Sequence, residues 1–178
     1  DLVTGGAVSI GALTASSQTV NLTLGGELTD GDADASGADT TVNVTADTLN
    51  LLGDQMVTDI ETTVATLDLT TAATSIRETD GIALADSTVT GQLDLVTGGA
   101  TSIGALTATS QTVNLTLGGA LTDGDADASG GDTTVNVTAD TLNLLGNQAV
   151  TDIETPVATL DLATAATSIT ETDGIALA

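Results

Sequence analysis

Thr19-Val20-Asn21-Leu22-Thr23 alternates polar and aliphatic side chains, and the rhythm returns as Thr41-Val42-Asn43-Val44-Thr45 and as Thr66-Leu67-Asp68-Leu69-Thr70. Successive side chains of a strand point to opposite faces, so Val20 and Leu22 take one side and Thr19, Asn21 and Thr23 the other. Each segment reads as a strand with an aliphatic inner face and an outer row of Thr, Asn or Asp, and Thr.

These strands recur inside a duplication. Asp1 to Ala85 aligns without gaps to Asp94 to Ala178 at an offset of 93, and nine of the 85 pairs differ. The differences include Val8/Thr101, Glu27/Ala120, Asp54/Asn147, Met56/Ala149, Thr63/Pro156 and Arg77/Thr170; none falls on the expected inward anchors Val20, Leu22, Val42, Val44, Leu67 or Leu69. Residues 1–93 form a first repeat and 94–178 a second, incomplete one, continuous with the first. The second stops short of an equivalent of Asp86 to Leu93, which reads as a window cut from a longer array.

Within a repeat, the [Leu/Val]-[Asp/Asn]-[Leu/Val] centres fall at Asp1, Asn21, Asn43 and Asp68, and Asp94 opens the next copy. The steps of 20, 22, 25 and 26 residues have the length of β-solenoid coils, each one structural unit stacked on the last. Gly5-Gly6, Gly25-Gly26, Gly53-Asp54 and Asp80-Gly81 supply turn signals between strands. The expected fold is therefore all-β, a right-handed parallel β-helix with about four coils per repeat. At about 4.8 Å per coil the chain makes a rod of roughly 38 Å. The alternative is a pair of tandem β-sandwich modules, which ordinarily fill their cores with aromatics. This chain has no Phe, Tyr or Trp among its 178 residues, although 40% are hydrophobic. Its core must be built from Val, Leu, Ile and Ala, which suits thin stacked layers.

Strings such as Leu93-Asp94-Leu95-Val96-Thr97-Gly98-Gly99 and Ala100-Thr101-Ser102-Ile103-Gly104-Ala105-Leu106 resemble the repeats of filamentous-haemagglutinin-type bacterial surface proteins. The resemblance covers the whole chain through composition and rhythm. It implies a long right-handed β-helix at the cell surface, and no binding residue of that family can be carried over.

Arg77 is the sole cation against 25 carboxylates, a formal charge of −24. Phosphate binding needs clustered Lys or Arg, so nucleic acid is excluded as a partner. No apolar run is long enough to span a bilayer. The absence of Cys accords with an exported protein that needs no disulfide. With no His, Cys, Tyr or Lys, the usual bases and nucleophiles are missing. The carboxylate neighbours Asp59 with Glu61 and Glu78 with Asp80 lack the aromatic or cationic platforms of sugar-cleaving clefts. The chain is expected not to be an enzyme.

Three features could carry binding. The loop from Asp30 to Asp39 places Asp30, Asp32, Asp34 and Asp39 at spacings that could converge on Ca²⁺, and the second repeat offers Asp123, Asp125, Asp127 and Asp132. A solvated acidic bulge explains the same residues. Thr19, Asn21, Thr23, Thr41, Asn43, Thr45, Thr66, Asp68 and Thr70 would form an outer face suited to a lattice or to lateral contact, though Thr is also simply a good strand former. Along that face Asp68 and Asp94 would be neighbours, repelling by about 0.8 kcal/mol at about 5 Å in water, so that a cation bridges them or one pKa rises.

The expected role is a structural segment of a long repetitive extracellular adhesin or surface filament, bacterial and non-catalytic. A calcium-dependent or lattice-binding module (ice or mineral) is the alternative. The expected partners are other copies of the chain, end to end or laterally, or an extracellular ligand.

Overall fold

The computed structural model describes residues 1–32, 40–125 and 134–178. The first repeat supplies β1 (Leu2–Val3), β2 (Val8–Ile10), β3 (Leu13–Thr23), β4 (Leu28–Asp30), β5 (Val44–Leu52), β6 (Val57–Thr71), β7 (Thr74–Glu78), β8 (Ile82–Leu84) and β9 (Ser87–Val89). The second runs through β10 (Leu93–Thr97), β11 (Thr101–Ile103), β12 (Leu106–Leu117), β13 (Leu121–Asp123), β14 (Val137–Leu145), β15 (Val150–Thr155), β16 (Val157–Ala163), β17 (Thr167–Glu171) and β18 (Ala176–Leu177). Every strand pairing among the described residues is parallel, and the 18 strands form one continuous sheet. The chain is a right-handed parallel β-helix of about eight turns. The tandem-sandwich alternative is thereby overturned, since sandwiches of that kind pair their strands antiparallel.

The alternation that suggested strands also sets their faces. Leu49 and Leu51 in β5 and Leu67 and Leu69 in β6 are fully buried, while Thr48, Asn50, Thr66 and Asp68 between them are half-buried on the outside. The buried aliphatics stack in columns along the axis and form one core cluster through both repeats. Long strands turn corners at single residues with left-handed backbone. Ser17 (φ 61°) divides β3 and Asp59 (φ 57°) kinks β6, and their copies Ser110 and Asp152 do the same.

The registers revise the anchor alignment. Leu2 stacks on Leu22, Asn21 on Asn50, and Asn50 on Asp68. Asn43 does not join that column, because the neighbouring Val44 pairs with Leu13 on a different side of the coil. The cause is an excursion. Ile10 pairs with Asp30 and Leu13 with Val44, so residues 31–43 replace a corner that the preceding coil turns with Gly11-Ala12. Equal spacing had counted this excursion as part of a regular coil. Val42 lies outside the strands and is only half-buried, so it is not a core anchor.

The phase between repeats follows from the same registers. Starting at Leu2, four coils lead through Leu22, Leu51 and Leu69 to Ser87, and the next rung of that column is Leu106. Leu95, the copy of Leu2, stands instead in the column of Ile76 and Leu115, half a coil further on. A repeat therefore advances four and a half coils, and the second copy faces the other way. The junction has no tether, since Asp86 to Leu93 contains β9, which pairs with β6 on one side and β12 on the other.

Turns between coils stack backbone on backbone. Gly53 has φ +122°, and a Cβ there would lie 2.2 Å from the Leu24 carbonyl oxygen; Gly146 repeats this against Leu117. Gly53→Ala should lower stability by about 2–4 kcal/mol, whereas Gly5→Ala, which meets nothing within 4 Å, should change the denaturation midpoint little. Parallel urea melts of the two variants check this.

Candidate functional site

The outer polar rows resolve into two amide ladders. Asn21 donates from Nδ2 to Asp1 Oδ1 (2.5 Å), and Asn50 donates to Asn21 Oδ1 (2.6 Å). In the second repeat Asn114 donates to Asp94 Oδ1 (2.5 Å) and Asn143 to Asn114 Oδ1 (2.6 Å). Each interior Asn donates to one rung and accepts from the next, and each ladder ends on a carboxylate, the stronger acceptor. Asp94 is further held by Gln92 Nε2 at 2.8 Å. Because of the half-coil phase, the two ladders stand on opposite sides of the coil and one follows the other along the axis.

Of the residues expected on one outer face, Thr19, Asn21, Thr23, Thr66, Asp68 and Thr70 do share it. Thr19 aligns with Thr48 and Thr66, while the other flank reads Thr23, Leu52, Thr70. Thr45 belongs to another segment of the coil, between Thr14 and Thr63. Thr41 is exposed outside the strands, and Asn43 is fully buried. Asn50 is the ladder member that spacing overlooked, although Thr48-Leu49-Asn50-Leu51 carries the same alternation.

Asp68 and Asp94 are not neighbours, since Asp94 stacks between Ser75 and Asn114. The segment leading into β9 brings Asp86 to Asp68 instead. Partial burial, and then the charge of Asp86, raise the Asp68 pKa above its ordinary value.

Asn43 closes the base of the acidic excursion. Its Nδ2 donates to Asp30 Oδ1 (2.8 Å) and to the carbonyls of Ile10 (3.2 Å) and Gly11 (3.1 Å), while its Oδ1 accepts the Glu61 amide (2.8 Å). Asp30, 8% exposed, also accepts the Asp32 amide at 3.0 Å. The second repeat builds the same knot. Asn136 reaches Asp123 (2.8 Å), Ile103 and Gly104, and accepts the Glu154 amide, while Asp123 takes the Asp125 amide. The second carboxylate oxygens of Asp30 and Asp123 are buried and receive no hydrogen bond. Asp34, Asp39, Asp127 and Asp132 lie outside the described residues. Among the described residues no three carboxylates are grouped to hold a metal ion.

Glu78 is a buried carboxyl that the sequence offered only as a member of a catalytic pair. Its oxygens accept the Thr62 hydroxyl (2.7 Å) and the Val64 amide (3.1 Å), and the Asp80 amide lies at 3.4 Å. Asp80 itself is exposed. Burial pushes the Glu78 pKa up to about 7, and the Thr62 and amide donors only partly oppose that rise.

A carboxyl whose folded pKa lies above its unfolded value of 4.5 contributes most below that value, and the contribution is lost as pH rises towards about 7. The thermal midpoint should therefore fall between pH 5 and pH 8. Glu78→Gln should flatten that dependence and raise stability at pH 8 by about 2–3 kcal/mol, with little change at pH 4.5. Calorimetry of both proteins across the range checks this.

No protein-family model, characterised protein or solved structure matches the chain.

Proposed function

We propose that this chain is a rod segment of a long extracellular adhesin or surface filament, bacterial in origin, whose work is mechanical. The observation that carries this reading is the unbroken parallel sheet through the repeat junction. Force or position applied at one end is transmitted through continuous backbone ladders, with no hinge between the copies. About eight turns at about 4.8 Å each give a reach of roughly 38 Å. An acidic, Cys-free surface suits exposure outside the cell, and the lack of His, Cys, Tyr and Lys fits a non-catalytic role. Its partners are then other copies of the chain or an extracellular ligand.

A second reading, Ca²⁺ binding at the two acidic excursions, is favoured by one observation. The second oxygens of Asp30 and Asp123 are buried without a donor at the mouth of an Asp-rich loop, and a hard cation is the partner such oxygens lack. The lattice-binding alternative gains less, because Leu52 and Leu145 interrupt the outer Thr rows.

Immunogold labelling of the producing cells with antibodies to the chain should decorate the outer surface; label confined to the cytoplasm would refute the filament reading. For the second reading, millimolar Ca²⁺ should raise the melting temperature by several degrees. The double variant Asp30→Asn, Asp123→Asn should abolish that response. An unchanged melting temperature in the unsubstituted chain removes it.

A further inference from the structure

The first amide ladder has a direction. Asn50 Nδ2 donates to Asn21 Oδ1 (2.6 Å), so each amide gives a hydrogen to the rung before it and offers its oxygen to the rung after. The rung after Asn50 is Asp68, its partner across β5 and β6. An ionised carboxylate there has no hydrogen to give and sets one acceptor against another, whereas a protonated carboxyl brings one O–H donor. The second copy is built alike, with Asp161 following Asn143.

A second carboxylate meets Asp68 from the following coil. Leu67 pairs with Leu84 and Thr70 with Thr88, so that stretch of the next coil is one residue longer, and Ala85 and Asp86 together stand opposite Asp68. The two carboxyls have different surroundings. Asp86 is exposed, and its Oδ1 accepts the Ala105 amide (3.1 Å), a bond that suits a charged acceptor. Asp68 is half-buried, with Asn50 before it, Asp86 after it, and Thr66 and Thr70 beside it on its own strand. Arg77, the one cation of the sequence, belongs to another column, with Glu61 and Val96. Burial, and then the Asp86 charge, hold the Asp68 carboxyl above its ordinary value of 3.8.

We propose that Asp68 is a proton-binding rung: protonated, it donates to Asn50 Oδ1 and joins Asn21 and Asn50 in one ladder across three coils, and loss of the proton opens the ladder there. The proton goes to Asp68 because that carboxyl faces an acceptor on the preceding rung, while Asp86 faces an amide donor. Closed, the ladder ties β3, β5 and β6 together on their outer face. Open, it leaves like charges on Asp68 and Asp86 and no donor for Asn50 Oδ1 at that rung. A carboxyl whose folded pKa is raised contributes its stabilisation fully below the unfolded value of 3.8 and loses it as pH rises through the folded one. The clasp therefore closes as the surroundings acidify, and this holds whether or not the chain is part of a filament.

Carboxyl-carbon NMR of the unsubstituted chain should show Asp68 titrating above 3.8. Asp86→Asn, which keeps an oxygen to accept the Ala105 amide, should lower that midpoint without returning it to 3.8, since burial and the Asn50 acceptor remain. Asp68→Asn makes the donor permanent and should raise the melting temperature at pH 7 by about 2–4 °C. That gain should shrink as the pH is lowered towards 4, where the unsubstituted chain takes up its own proton. In an Asn50→Ala background the acceptor is gone, and Asp68→Asn should give less than about half the gain. Circular dichroism confirms that each variant is folded. An Asp68 midpoint at or below 3.8, or one that returns to 3.8 in Asp86→Asn, would overturn the proposal. So would a folded Asp68→Asn chain no more stable than its parent at pH 7, or an equal gain in both backgrounds.

Discussion

The in-register stacking of aliphatic side chains along the axis is the constraint on which this structure depends. With no aromatic residue to span a wide interior, each Leu, Ile or Val can be covered only by a neighbour of similar reach, one rung above or below. Parallel backbone pairing supplies that neighbour at about 4.8 Å. Once the columns form, the polar rows on the outside are placed by the strand period alone. The amide ladders are thus a consequence of core register, each hydrogen bond adding a net contribution of about 0.5–1.5 kcal/mol.

This dependence explains what the sequence disclosed. The coil scale, parallel winding, aliphatic core and outer Thr/Asn rows were legible, because each follows from a period of two and from composition. The register was not. It turned on whether Asn43 or Asn50 follows Asn21, and both sit in the same alternating pattern. The excursion between Asp30 and Val44 decides the matter, and its closure by Asn43 involves Ile10, Gly11 and Glu61 on neighbouring rungs. Such long-range partners leave no local trace. A clue was the position of Asn43 directly after the acidic loop, where a side chain with both donors and an acceptor can tie off a detour. The same register error placed Asp94 beside Asp68 and hid Asp86. Of the residues expected to hold a cation, Asp30, Asp32, Asp123 and Asp125 lie among those described, and Asp30 and Asp123 are tied to Asn43 and Asn136.

Buried polar groups mark where the column rule is relaxed. Glu78 occupies an inward position between Thr62 and Thr97, in a column that elsewhere holds Val44 and Leu117. Its desolvation is only partly offset by the Thr62 hydroxyl and the Val64 amide, so the interior holds a carboxyl where a regular aliphatic stack would have been simpler. Thr97 and Thr101, on the following turn, likewise satisfy one another at 2.9 Å. These sites cluster near the repeat junction, where the column of one copy passes into the other side of the next.

The half-coil phase also bears on charge. A chain with net charge −24 is stressed wherever carboxylates gather, and the acidic excursions are the densest gatherings in its sequence. Had a repeat taken a whole number of coils, Asp30 and its copy Asp123, which open these stretches, would stand on one side of the rod. Four and a half coils put Asp30 and Asp123 on opposite sides and about 22 Å apart along the axis. That is more than twice the Debye length of about 8 Å at physiological ionic strength. The repulsion between these two carboxylates is therefore screened. The phase that confounded a simple count of coils is thus one that keeps like charges apart.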